Sequence, residues 1–337
     1  MTVLGIESSC DECAVSLVRD GRTVLSSVIN SQIEHHRPYD GVVPELASRL
    51  HVEAIAGVYA QALADAGCGP EGYDAIAVTN RPGLVGSLLV GVSFAKGLAQ
   101  ATEKPLVGVD HILAHLYACQ LEQPVDYPHV GLLVSGGHTL LALVRAFDDI
   151  EVLGTTIDDA VGEAFDKVAK YYGLGYPGGK AVDDLARDGN PDAFRFPQSR
   201  LDKGNHPFDL SYSGLKTAVI NQKDRFLVPG ADPSLPNLCA SFQKAAVDVL
   251  VRKLKAVVKE TGVARVVAGG GVAANSYLRS SLSRQRGWSV SYPSLALCTD
   301  NAAMIAGWAY HALVRGDRAG SDLNAESRVA RFKRKYP

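Results

Sequence analysis

The sequence predicts an α/β protein made of two related halves that face each other across a cleft. Two observations point there. Residues 3–6, 7–12 and 13–19 read as strand, polar turn and returning strand, and residues 129–134, 135–139 and 140–144 repeat that opening with little shared wording. Each opening then gives way to alternating helical and strand periodicities, with glycine-rich turns at strand ends. The expected boundaries are a first half over residues 1–128, with about 295–325 packing back on it, a second half over 129–294, and a basic tail over 326–337.

In the first half, Asp20-Gly21 is a hairpin turn and residues 23–29 are a third strand. Residues 30–41 are polar and irregular and hold His35 and His36. From Pro44, apolar residues recur at three and four (Leu46, Leu50, Ile55, Val58, Ala62), a helix with a first-turn proline that closes at Gly67. A strand at 73–79 leads through a turn at 81–86 into a small-residue helix at 87–101, and a strand at 106–109 feeds a helix carrying His111 and His115. In the second half, residues 151–153 are a short strand. Residues 155–172 are the strongest helix, with Ile157, Ala160, Val161, Ala164, Phe165 and Val168 on one face and Thr156 as its cap. Residues 173–179 are a turn-rich exit and 188–213 a long surface connection. Helices are expected at 214–221, 241–262 and 277–286, strands at 265–268 and 288–292, and a last helix at 300–313 capped by Asp300.

Composition narrows the class. A 47% hydrophobic share supports a sizeable core, and a net charge of −2 neither suggests nor excludes nucleic acid, because a basic patch can sit on a neutral protein. Cys10, Cys13, Cys68, Cys119, Cys239 and Cys298 are scattered, so no disulfide framework is read. Cys10 and Cys13 make a CxxC that leads into a strand instead of opening a helix, which argues against a redox role. The first residues do not read as a signal peptide and no apolar run has the length of a membrane span, so a cytoplasmic protein without a membrane partner is expected.

Two kinds of chemistry stand out. His111 and His115, four apart on a helix, put two imidazoles on one face, where they can share a divalent cation with a third ligand from elsewhere. The intervening Ile112, Leu113 and Ala114 exclude HExxH and its glutamate base. Glycine turns at strand ends, above all Ser135-Gly136-Gly137-His138-Thr139 and Gly269-Gly270-Gly271, can bracket phosphates through backbone N–H groups, although neither is a GxGxxG nor a P-loop. Asp11 and Glu12 sit in the first turn and are expected across the cleft from residues 135–139. Asp166 and Asp183 bracket the glycine-rich exit, where a carboxylate can take ribose hydroxyls, and Asn275 can do the same or read a base edge. Asp166 can equally be a solvated helix face.

At this point the chain resembles the bacterial-type tRNA adenosine threonylcarbamoyltransferases, formerly labelled O-sialoglycoprotein endopeptidases. The runs that carry the resemblance are GIESSCDE (5–12), HRPYDGVVPELASRLH (36–51), HILAH (111–115), LLVSGGHT (132–139), GTTIDDAVGEAFDKVAK (154–170), GLGYPGG (173–179), SYSGLKTAV (211–219), GGVAAN (270–275) and CTDNAAMIA (298–306). The resemblance implies an actin-like, sugar-kinase-like ATPase fold. It implies one divalent metal, Fe(2+) or Zn(2+), held by His111, His115 and Asp300, which gives Asp300 a use other than capping. It implies that Val134, Ser135, Gly136, Gly137 and His138 line the threonylcarbamoyl and phosphate part of threonylcarbamoyl-AMP, and that Asp166, Gly179, Asp183 and Asn275 hold its adenosine part. The group is then transferred to the exocyclic amine of the adenosine next to the anticodon, with Asp11 or Glu12 orienting or deprotonating that amine. The implied partners are tRNA, a shorter metal-free paralogue forming a heterodimer, and a small P-loop ATPase. Rival readings are a metalloprotease and an ATP-hydrolysing member of the same fold. Arg81, Cys13 and Tyr212 depart from the family's usual glycine, threonine and phenylalanine.

Overall fold

A computed structural model describes residues 1–201 and 206–329. In chain order it contains β1 (Thr2–Glu7), β2 (Glu12–Arg19), β3 (Thr23–Ser31), α1 (Ile33–His36), α2 (Pro44–Asp65), β4 (Ala75–Arg81), α3 (Val85–Thr102), β5 (Leu106–Asp110) and α4 (His111–Tyr117). There follow β6 (His129–Val134), β7 (Thr139–Val144), β8 (Ile150–Thr155), α5 (Val161–Tyr171), α6 (Gly178–Ala186), α7 (Ser213–Asn221), α8 (Leu235–Thr261), β9 (Arg265–Gly269), α9 (Ser276–Ser283) and β10 (Ser289–Ser291). The chain closes with α10 (Leu295–Cys298) and α11 (Ala302–Arg315). Its described residues divide into two compact units, 1–125 with 293–329, and 126–292. Among the described residues no helix is long and apolar enough to cross a membrane.

The two units share one sheet plan. The first sheet runs β3-β2-β1-β4-β5 and the second β8-β7-β6-β9-β10. In both, the opening three strands pair antiparallel and the next two add in parallel on the other side of the first. The strand–turn–strand openings at residues 3 and 130 are therefore equivalent hairpins of two α/β halves.

Period-two alternation explains how the first sheet is covered. Val3, Ala75 and Ala77 face α11, whereas Leu4, Ile6, Ile76 and Val78 face α2 and α3. Gly5 shares the Val3 face, and a Cβ there would run into the Ala302 carbonyl and come within 2.9 Å of the Ala306 nitrogen. That bare backbone lets the first turn of α11 lie directly on β1.

Several expectations change. The last helix is capped by Asn301, not Asp300: Asn301 Oδ1 accepts the Met304 N–H at 3.0 Å, and its amide donates to the carbonyls of Thr299 (2.8 Å) and Leu297. Asn301 is fully buried, so Asn301→Ala removes a cap and leaves two carbonyls short of a donor. Urea titration is expected to show a loss of about 1–2 kcal/mol.

The helix expected over 155–172 begins only at Val161. Thr155 ends β8 because its N–H is held by Asp209 Oδ1 at 2.8 Å and its carbonyl by the Leu210 N–H. Thr156 is no cap; its hydroxyl donates to the Asp159 carbonyl in a turn, and Ile157 is exposed. The Val161 N–H is instead taken by Thr139 Oγ1 at 2.9 Å.

The connection over 188–213 is not purely superficial. Phe194, Phe196, Leu210 and Tyr212 are buried. The buried ammonium of Lys253 donates to the carbonyls of Leu201 (2.7 Å) and Pro207 (2.6 Å), and Arg252 reaches the Ser199 carbonyl. The exit after Gly175 contains α6, and α8 starts six residues before the expected 241. Of the basic tail, Arg331, Lys333, Arg334 and Lys335 lie outside the described residues.

Candidate functional site

In the first unit, β5 delivers the chain into α4, whose N-cap Asp110 accepts the N–H groups of Ile112 and Leu113. That short helix sets His111 and His115 edge to face, with ring centroids 4.5 Å apart. The seat of α11 on Gly5 fixes the residues just before it, and Asp300 Oδ1 lies 3.0 Å from His115 Nε2 and 3.5 Å from His111 Nε2. One ligand atom from each of the three residues lies within 4.8 Å of the others. Both imidazoles are buried and Asp300 is partly open. Two nitrogens and one carboxylate oxygen converging beside an accessible side form a donor set that fits a divalent cation with coordination positions left for a ligand.

Behind the pair lies Glu7, at the C-terminal end of β1 and fully buried. Its Oε2 is 3.0 Å from His111 Nδ1 and accepts the Thr79 hydroxyl at 2.6 Å, while its Oε1 accepts the Ser9 N–H at 2.6 Å. Burial acts to raise the Glu7 carboxyl, but the charge and hydrogen bond of His111 outweigh it and hold it below the usual value. Burial likewise opposes charge on His111, yet Asp300 and then Glu7 raise it to about 9. His115 goes the other way, lowered by burial and then by the His111 charge.

Asp11 is buried in the turn after β1, and Glu12 opens β2 instead of sitting in the turn. Burial, then the charges of Asp11 and Asp300, push Glu12 well above the usual carboxylate range. Its Oε1 accepts the Ser31 hydroxyl at 3.3 Å. All six cysteines are free thiols. Arg81 pairs with Asp110 (3.6 Å) and Glu326 (3.4 Å), and the Tyr212 hydroxyl donates to the Ala246 carbonyl, so both departures are accommodated locally.

The second unit holds the glycine turns. The turn after β6 closes on itself: the Ser135 N–H donates to the His138 carbonyl at 2.8 Å, and the His138 N–H to Ser135 Oγ at 3.1 Å. Of the expected row of donors over 135–139, only the Gly136 and Gly137 N–H groups are without a partner among the described residues. A Cβ on either glycine would meet open space. Two further glycines shape this turn: Gly162, which sequence reasoning does not single out, and Gly270 of the second glycine turn. A Cβ on Gly162, in the first turn of α5, would sit 2.5 Å from the Ser135 carbonyl oxygen and 2.8 Å from Gly136 Cα. Gly270 has a φ of +88°, and a Cβ there would collide with the Val134 carbonyl.

Elsewhere in the second unit, Asp166 Oδ1 accepts the Gly178 N–H at 2.8 Å, and Gly179 faces open space. Asp183 accepts from the Ser276 hydroxyl at 2.6 Å and from its N–H. Asn275 caps α9 through Oδ1 to Leu278 and donates through Nδ2 to Gln243 (2.9 Å) and Asp183 (3.3 Å). The amide expected to read a base edge is thus largely engaged within the protein. Gln243, which takes part in that network from inside α8, carries no sequence signal beyond its helical position.

A family model described as tRNA N6-adenosine threonylcarbamoyltransferase matches residues 23–307. The tRNA N6-adenosine threonylcarbamoyltransferase of Treponema denticola is 55% identical over 335 residues, covering 99% of both chains. Two solved structures share the fold at low identity. One is component A of the (R)-2-hydroxyglutaryl-CoA dehydratase of Acidaminococcus fermentans (TM-score 0.56, 15% identity, 93% of this chain and 99% of that one). The other is the ROK hexokinase of Thermus thermophilus (TM-score 0.51, 15% identity, 94% and 100%). The architecture is the actin-like, sugar-kinase-like α/β fold with its duplicated half. With the histidine pair and its aspartate inside a match that runs the length of the chain, this protein belongs to the tRNA N6-adenosine threonylcarbamoyltransferase family.

Proposed function

We infer that the chain transfers the threonylcarbamoyl group of threonylcarbamoyl-AMP to the exocyclic amine of the adenosine 3′-adjacent to the anticodon, in tRNAs reading codons that begin with A. The observation that carries this reading is the cluster of buried His111 and His115 with partly exposed Asp300, in a chain 55% identical to a relative named for that transfer. A peptidase of the HExxH kind would need a glutamate where Ile112 stands. In the reaction the amine nitrogen bonds to the carbamoyl carbon, the bond from that carbon to the AMP phosphate oxygen breaks, AMP leaves, and the amine gives up a proton.

The purine conjugates the amine lone pair, so orientation and a proton acceptor count heavily. Glu12, with its raised pKa, is suited to take the proton, and Asp11 to orient the amine. The free N–H groups of Gly136 and Gly137 are the donors for charge developing on oxygen, with Val134, Ser135 and His138 holding their turn in shape. Asp166, Gly179, Asp183 and Asn275 make the adenosine end. Fe(2+) or Zn(2+) suits the two imidazoles and the carboxylate of Asp300, and either supplies a Lewis acid that polarises the donor.

The partner reading is a heterodimer with a shorter metal-free paralogue, joined by a small P-loop ATPase. Its support is the exposed Val52 on α2 and Val85 and Leu89 on α3. A tRNA substrate places the protein in the cytoplasm. The test is reconstitution with labelled threonylcarbamoyl-AMP and unmodified tRNA, with and without those partners. Label in the anticodon-adjacent adenosine, with one AMP released per transfer, is expected. No transfer in the full reconstitution, or cleavage of peptides by the same preparation, overturns the reading.

A further inference from the structure

The two imidazoles of the cluster differ on the side facing away from Asp300. Glu7 accepts two hydrogen bonds besides its contact with His111: the Ser9 N–H, whose proton is fixed by the backbone, to Oε1, and the Thr79 hydroxyl to Oε2. A carboxylate receiving such bonds inside a fully buried site is an acceptor with no proton of its own. His111 Nδ1 lies 3.0 Å from Oε2 and 3.3 Å from the Ser9 hydroxyl, and against an unprotonated carboxylate it carries the hydrogen, directed to the nearer Oε2. With the Nδ1 hydrogen held by Glu7, the ring proton given up when a cation binds is the one on Nε2, the nitrogen 3.5 Å from Asp300 Oδ1. His115 has no such support: its Nδ1 is buried with no hydrogen-bond partner among the described residues.

We propose that Glu7 is a positioning residue that presets His111 as the first ligand by locking its Nδ1–H tautomer, whereas His115 adopts its ligating tautomer only as the cation arrives. The proposal rests on the cation site read above and assigns a task to a residue outside it. The lock is itself anchored. Thr79 lies within β4, Ser9 is held by its carbonyl to the Leu84 N–H at 2.8 Å, and a Cβ on Gly83 would come within 2.8 Å of the Ser9 Cβ. Three chain segments thus converge on one carboxylate. A carboxylate behind a ligating histidine raises its basicity and fixes its ring, and losing such a partner typically costs 10- to 100-fold in metal affinity.

The test titrates the wild type, Glu7→Gln and Thr79→Val with Zn(2+) and Co(2+) against a competing chelator. Nitrogen-15 shifts of the histidine rings are recorded in the zinc-loaded proteins. The expected results are a protonated Nδ1 and a ligated Nε2 at His111 in the wild type, about 10- to 100-fold weaker binding in Glu7→Gln, and a smaller loss in Thr79→Val. A structural role alone would lower thermal stability in Glu7→Gln without altering the His111 ring shifts, which would overturn the proposal. So would wild-type affinity in a folded Glu7→Gln, or a wild-type His111 ligated through Nδ1. Thr79→Val keeps the carboxylate and its charge, so it remains informative should Glu7→Gln fold poorly. A folded wild type that binds neither cation removes the site reading itself, and the same titration shows that separately.

Discussion

Asp300→Ala is expected to abolish measurable cation binding and to lower transfer by about 10²- to 10³-fold while leaving the fold intact. The aspartate is the anionic member of the cluster, with one oxygen 3.0 and 3.5 Å from the two ring nitrogens. A Lewis acid at such a centre contributes several kcal/mol of charge stabilisation, and about 3–4 kcal/mol corresponds to that loss of rate. The fold survives because Asn301, not Asp300, caps α11, and because the Asp300 side chain is 20% exposed. His111→Ala is the poorer experiment. It strands the Glu7 carboxylate in a site of no solvent access, and breaking a buried pair in this way typically costs about 3–5 kcal/mol of stability. Cation content by elemental analysis, unfolding in urea and single-turnover transfer separate the two variants. An Asp300→Ala protein that retains a full complement of metal and wild-type transfer would sink the centre.

What the sequence makes legible here follows from the range of the interactions. The duplicated openings are legible because β1, β2, β6 and β7 are short, nearly continuous apolar runs bounded by polar turns, which is a local signal. The histidine pair is legible for the same reason: both rings come from one turn of one helix. Asp300 and Asn301 are adjacent and both are capping types, so spacing cannot say which one turns inward; the seat of α11 on Gly5 decides it. Thr155 has helical neighbours in sequence, and it is drawn into a strand by distant partners: Asp209, 54 residues away, the next residue Leu210, and the pairing with β7. Glu7 reads as the first residue of a polar turn. Its partners Thr79 and His111 lie 72 and 104 residues further on, and no local pattern links them. Asn275 is legible as a polar residue after a glycine turn, but not as a cap already bonded to Gln243.

Gly162→Ala is expected to lower kcat/KM for the adenylate donor by about 10²-fold without touching the cation site. The added Cβ would lie 2.5 Å from the Ser135 carbonyl oxygen, 2.8 Å from Gly136 Cα and 2.9 Å from Gly136 N. All three are backbone atoms, so no side chain can swing aside; the turn or the start of α5 must move. Thr139 Oγ1 ties the Val161 N–H to the strand beyond that turn, which restrains the helix and directs the shift into Ser135–Gly136. Displacing the Gly136 and Gly137 donors by roughly 1 Å suffices for a 10²-fold loss where positioning carries the rate. Helix propensity works in the opposite direction, since alanine in place of glycine favours a helix by about 1 kcal/mol. Loss of function without loss of stability would therefore be specific to the turn. Gly179→Ala is the control: its Cβ meets open space, so the backbone stays in place and only a ligand in that space would feel it. Calorimetric titration with AMP and single-turnover transfer read the two variants, and zinc affinity serves as the internal reference because its ligands lie in the other unit. Wild-type donor affinity and transfer in Gly162→Ala would show that the Ser135–His138 turn takes no part in holding the adenylate.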